Sequence, residues 1–168
     1  MIIAEVKELT EREEQEKVKS EIVGTRIREK IRQCSRQLKA RTAGRHPGML
    51  VLYRNGEFGY FTPHLTAAMY GTTVIDIAVP PGDQSVRPHV LGARFGPGKR
   101  MTPDHNTSIS AVGVLFRGGP NWDFDFLVYH NAHAAIPIEP GLLNQHGIRQ
   151  LHMDFESGRW VSNKPGLP

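Results

Sequence analysis

The sequence predicts an α/β domain with a mixed central sheet, one long N-terminal helix packed on it, short helices and a long irregular loop. Three observations lead there. An apolar run, IIAEV, occupies residues 2–6 and reads as a buried strand. A proline-free stretch rich in helix formers runs from about residue 11 to 41. A wholly apolar run, MLVLY, follows at residues 49–53 and reads as a strand covered on both faces. Strand, helix, strand is the opening of a parallel or mixed sheet with the helix laid against it.

Each element has its own signal. Thr10 and Glu13 have capping-box spacing at the start of the helix. Val23, Ile27, Ile31, Cys34 and Leu38 fall at steps of three or four and make one apolar stripe. Arg28, Arg32, Arg36 and Lys39 form a basic band beside it, and Gly24 marks a kink or break. Gly44 and Pro47-Gly48 end the helix. Asn55-Gly56 is a hairpin signal, with residues 57–61 as a return strand or loop. Residues 63–70 predict a short helix closed by Gly71, and residues 72–79 a strand stopped by Pro80-Pro81-Gly82. Residues 80–108 read as one long irregular connection. Strands are expected at 110–117 and 124–129, a short helix at 140–146 and an edge strand at 148–155. Residues 1–158 form a single domain in this reading, truncated at its N-terminus, and 159–168 a flexible tail.

Composition narrows the class. The chain has 168 residues, 39% of them hydrophobic and 23% charged, enough for a core and against wholesale disorder. With 17 glycines and 12 prolines it is rich in turns. A lone cysteine, Cys34, gives no internal disulfide and suits a reducing, cytoplasmic setting. No apolar run reaches the length of a membrane span, and no secretory signal is visible. The net charge of +4 is local in origin: residues 1–23 balance to −3, residues 24–45 to +7 and the remainder to zero. A local basic stretch suits nucleic acid, polyphosphate or an acidic partner, or else is a solvated helix face.

Three constellations carry chemistry. In the first strand, alternation sends Glu5 and Lys7 to one side and Ile2, Ala4 and Val6 to the other. A carboxylate beside an ammonium can hold a divalent metal and position a water or phosphate oxygen; the plainer reading is an exposed pair on an edge strand. The second is His130-Asn131-Ala132-His133, with His105 as a third metal ligand, or else a strand-end turn fixed by Asn131 with the histidines hydrogen-bonded to backbone. The third is Arg94-Phe95-Gly96-Pro97-Gly98-Lys99-Arg100, a glycine-rich basic loop suited to phosphate but without the P-loop pattern, or else simply mobile. Cys34 lies on the apolar stripe and reads as a small buried hydrophobe.

The strand IIAEVK, the long helix after it and the strand MLVLY resemble the PD-(D/E)XK, or restriction-endonuclease-like, nuclease superfamily over about residues 2–53. The resemblance implies Mg²⁺-dependent phosphodiester hydrolysis, with Glu5 as metal ligand and catalytic residue and Lys7 as the catalytic lysine. Arg28, Arg32 or Gln37 would face the scissile phosphate. The superfamily places a metal-binding Asp on a preceding strand, which does not precede Glu5 here. The chain then reads as part of a longer nuclease, as a relative that binds without cutting, or as one whose Asp comes from another chain. The expectation is a nucleic-acid-associated protein binding DNA or RNA backbone through Arg28, Arg32, Arg36, Lys39, Arg94, Lys99 and Arg100. The competing expectation is a non-enzymatic interaction module, a homodimer paired through an open sheet edge.

Overall fold

A computed structural model describes residues 1–9, 24–54, 61–79, 87, 89–118 and 123–163. The first strand, β1 (Ile3–Leu9), pairs in parallel with β2 (Gly48–Arg54), from Ile3 opposite Gly48 to Leu9 opposite Arg54. β2 pairs in parallel on its other edge with β5 (Ala111–Gly118). β5 and β6 (Asp123–His130) are antiparallel. Beyond them β7 (Arg149–Asp154) runs parallel to β6, and β8 (Arg159–Asn163) antiparallel to β7. The result is a mixed six-stranded sheet in the order β1-β2-β5-β6-β7-β8. A separate two-stranded ribbon joins β3 (Thr73–Ala78) to β4 (His89–Phe95), with a register shift between Asp76 and Ile77.

Helix α1 (Thr25–Thr42) lies against β1 and β2 and packs on α2 (Phe61–Met69). The predicted stripe is its buried face: Ile27, Ile31, Cys34 and Leu38 meet Leu50, Leu52, Val112 and Val114 in the main core. Burying a side chain of this size stabilises by roughly 1.5–3 kcal/mol relative to leaving it in water. The opposite face carries a smaller cluster, Met49, Ala111, Val128, Ile138 and Leu143, the last from α3 (Pro140–Asn144). β2 is apolar throughout its centre because both faces are covered and both edges paired, as MLVLY predicts.

Glycine is required where α1 starts. Gly24 has φ of 81° and no side-chain cap, and a Cβ there would run into the carbonyl of His64 on α2. The helix ends through two left-handed residues, Ala43 and Gly44, with Lys39 and Arg41 in its last turn where the carbonyl end of the dipole favours cations.

Several expectations change. The helix described begins at Thr25; its predicted first half, the capping box and Val23 lie outside the described residues. Asn55-Gly56 and residues 57–60 also lie outside them; Phe61, expected as the end of a return strand or loop, begins α2. The connection expected to be irregular from 80 to 108 contains β4, hidden by Gly92 and by the prolines around it. β7 is an interior strand, not an edge, because β8 covers it. Residues 159–163, expected as tail, form that covering strand, held by Trp160, whose indole Nε1 donates to Thr66 Oγ1 at 2.8 Å. Among the described residues no helix is long and apolar enough to cross a membrane.

Candidate functional site

β1 alternates as its sequence predicts, but with polarity reversed from an ordinary outer strand. Ile3 and Leu9 join the main core, so Glu5 and Lys7 between them face the α1 side. Their register neighbours, Leu50 and Leu52, are fully buried. Val6, on the other face, is 63% exposed. Polar side chains are thus drawn inward and an apolar one left in water.

The inward pair is ionically bonded. Lys7 Nζ lies 3.1 Å from Glu5 Oε1, and Arg41 Nη1, from the last turn of α1, lies 2.9 Å from Glu5 Oε2. The Glu5 side chain is 14% exposed and that of Arg41 61%. Each carboxylate oxygen is therefore engaged by one cation, and the triad carries one net positive charge. Of the plainer expectation, an exposed pair on an edge strand, the edge position agrees with the described sheet and the exposure does not: the Lys7 and Glu5 side chains are 23% and 14% exposed. Cys34 lies close by; burial first, then the Glu5 carboxylate, pushes its thiol up to about 12, so it stays neutral. It is the small buried hydrophobe expected.

Glu5 and its described neighbours do not by themselves make a magnesium site. Mg²⁺ needs several oxygen ligands, two or more of them usually from protein or substrate. Glu5 offers one carboxylate, with both oxygens already taken by cations. Among the described residues no group of three or more His, Cys, Asp or Glu side chains could hold a metal ion.

The predicted basic residues separate into four surroundings. Arg32 and Lys39 from α1 meet Lys99 and Arg100, from the segment between β4 and β5, around a cavity of about 750 Å³. At about 100° per residue this is the flank of α1 opposite the one that presents Arg41 to Glu5. Arg36 is exposed outside the cavity. Arg94 is on the ribbon, where its Nε lies 3.1 Å from Asp76 Oδ2.

Arg28 is a correction to the exposed basic band: it is buried. Its Nη2 donates to the Ala67 carbonyl near the end of α2 at 3.0 Å, and Gly98 packs over its guanidinium, so it braces α1 against α2 and the basic loop. Burial, then the nearby charge of Arg100, lowers its pKa. A stripe-based reading misses this because α2 and Gly98 close over a helix position that would otherwise face water.

The three candidate histidines also fall apart. His105 closes a turn with Thr102 and reaches the cavity. His130 is buried, stacked on His152 at 4.2 Å between centroids, with its Nε2 2.8 Å from Gln150 Oε1. His133 follows an Asn131 turn in which Asn131 Oδ1 accepts from the His133 amide at 3.0 Å. Tyr70 pins that turn, donating to the His130 carbonyl and accepting from the Ala132 amide, both at 3.1 Å. Burial pushes its hydroxyl up to about 12. Asn131 therefore fixes a turn as expected, but the His130 ring bonds the Gln150 side chain and not backbone. The role of Gln150 was missed: it is fully buried, and its Nε2 donates to the Pro140 carbonyl and Asn144 Oδ1.

No family model, curated protein or solved structure matches the chain.

Proposed function

We propose that this chain is a nucleic-acid-associated protein built on a nuclease-like strand–helix–strand core, with a phosphate backbone running along β1 against Lys7 and Arg41. The observation that carries this reading is the acid–amine pair at 3.1 Å on the helix-covered side of an outer strand whose water side is apolar. Lys and Glu are rarely taken inside unless paired. Here their desolvation is tolerated because Lys7 and Arg41 satisfy Glu5, which leaves one positive charge in excess to meet a phosphate. Arg41, the most exposed member, can swing from Glu5 to a phosphate oxygen. Lys7 stays in place and orients whichever oxygen lies beside Glu5. Cleavage with Mg²⁺ is what the resemblance adds; it calls for oxygen donors beyond Glu5, and no step is derived through the ion. A reducing, cytoplasmic setting belongs to the same reading, on the ground of one buried thiol.

The test is binding of DNA and RNA across a salt series, with and without Mg²⁺. The logarithm of affinity should fall linearly with that of salt concentration, and Lys7→Gln should weaken binding and flatten the slope by about one unit. Glu5→Gln should spare binding and abolish any Mg²⁺-dependent product. Neither binding nor cleavage at low salt would end the proposal.

A second reading has its own observation. Among the described residues β1 pairs on one edge only, with Ala4 and Val6 turned to water. Pairing of that edge with a second copy would make a homodimer without enzymatic activity. Sedimentation decides: a strict monomer at high concentration removes it.

A further inference from the structure

The cavity on the far flank of α1 has no part in the β1 site, and its chemistry is one-sided. Arg32, Lys39, Lys99 and Arg100 converge on it, and among the described residues Asp104 is the one acid in its wall, an excess of three positive charges. None of the four cations makes a salt bridge among the described residues. Like charges gathered from two separate parts of a chain repel one another, and a fold that holds them together gains from an anion placed between them.

The walls are fixed before any ligand arrives. The Arg100 amide donates to the Met69 carbonyl at 3.0 Å and the Met101 amide to the same carbonyl at 2.8 Å, with the Met101 side chain fully buried as an anchor. Asn106, in a left-handed conformation at φ 58°, sends its Nδ2 back to the Arg100 carbonyl at 2.6 Å. Ser108 Oγ donates to the Ser35 carbonyl at 3.4 Å, which ties the loop wall to the α1 wall. The buried Arg28 holds the loop from beneath at Gly98. Little ordering is left for binding to oppose. The volume, about 750 Å³, lies in the range of small-molecule pockets, and the Ser35 and Ser108 hydroxyls add neutral hydrogen-bonding groups to the cationic walls.

We propose that this pocket binds a phosphate ester of nucleotide size bearing two or three negative charges. The pocket is half open, with all four cations exposed on its walls, and its limited extent suits one phosphorylated end more than the long track that a run of backbone phosphates needs. Neither Glu5 nor Lys7 enters it, so loss of the β1 site would leave it intact.

The experiment is calorimetric titration of the full chain at low salt with ADP, inorganic pyrophosphate and adenosine. ADP and pyrophosphate should saturate one site and adenosine should not bind. ADP tighter than pyrophosphate would show that the nucleoside is also held; equal affinities would show that the phosphates alone are read. Arg32→Gln and Arg100→Gln should each weaken ADP by about tenfold or more, as for loss of a charge-assisted hydrogen bond. Arg32→Lys should recover part of the loss. Arg159→Gln, an exposed cation on β8 at the far edge of the sheet, should stay within about twofold, since surface charges far from a site act weakly through screening salt. Absence of saturable binding, equal binding of adenosine, or an equal loss with Arg159→Gln would overturn the proposal. So would displacement of ADP by an unphosphorylated DNA oligomer at a comparable concentration, which would return the four cations to a nucleic-acid surface.

Discussion

The two flanks of α1 treat charge in opposite ways. On the β1 flank, Glu5 is enclosed by Lys7 and Arg41, and its two oxygens have one cation each. On the cavity flank, four cations face a single acid among the described residues. The same helix thus carries a locally satisfied ionic cluster on one side and an unsatisfied one on the other. The first contributes to holding β1 under the helix. The second makes no salt bridge among the described residues and sets like charges against one another. A charge of the first kind can be removed only with loss of stability, and one of the second kind can be removed freely unless a ligand is bound.

Substitutions can break or sharpen this contrast. The largest effect belongs to the ridge between the flanks. Ile31 is fully buried, and Ile31→Ala should cost about 2–5 kcal/mol in denaturant unfolding and disturb both sites together. Glu5→Gln should cost about 1–2 kcal/mol, because it leaves Lys7 and Arg41 close together without their acid; Arg41, being mostly exposed, lets solvent absorb part of that cost.

A pH effect comes next, from outside both flanks. Burial holds His130 below the ordinary histidine value, with the Gln150 hydrogen bond opposing and the neighbouring His152 adding to the shift; burial lowers His152 as well. Both rings stay neutral in the fold while the unfolded chain takes up protons below about pH 6.5. Stability is therefore fully present above that value and falls as the pH drops from it toward the lower folded values. Thermal melts from pH 7.5 to 5 should show the loss, and His152→Phe, which keeps the stack, should reduce it. The smallest effect is the most discriminating. Arg32→Gln should change stability by no more than about 0.5 kcal/mol, and in the stabilising direction without ligand. A loss comparable to that of Glu5→Gln would erase the distinction between the flanks.

What could be read from the sequence was what periodicity encodes. The buried stripe of α1, the doubly covered β2, the β5–β6 pair and the shared side of Glu5 and Lys7 follow from steps of three or four and of two. The first half of the expected helix lies outside the described residues. β4 and β8 escaped because HVLGARF and RWVSN are short, polar or glycine-interrupted, and become strands only through neighbours supplied by distant parts of the chain. The same holds for the cavity. Arg32 and Lys39 look like one solvated helix band and Lys99-Arg100 like one loop, and only the anchoring of Arg100 and Met101 on the Met69 carbonyl brings them together. Arg28 shows the converse error, since a charge that continues a surface band by spacing is taken inside by tertiary contact.

The pairing of β2 with β5 has a kinetic consequence. β1, α1 and β2 are consecutive along the chain, as are β5 with β6 and β7 with β8, so each group can assemble from near neighbours. The seam between β2 and β5 cannot, because α2 and the whole β3–β4 ribbon intervene. Closing a long loop before any contact rewards it is what slows folding in sheets with non-local pairing. Refolding should therefore show the strand–helix–strand unit gaining protection from hydrogen exchange early, and the β2–β5 seam setting the pace of the final cooperative step.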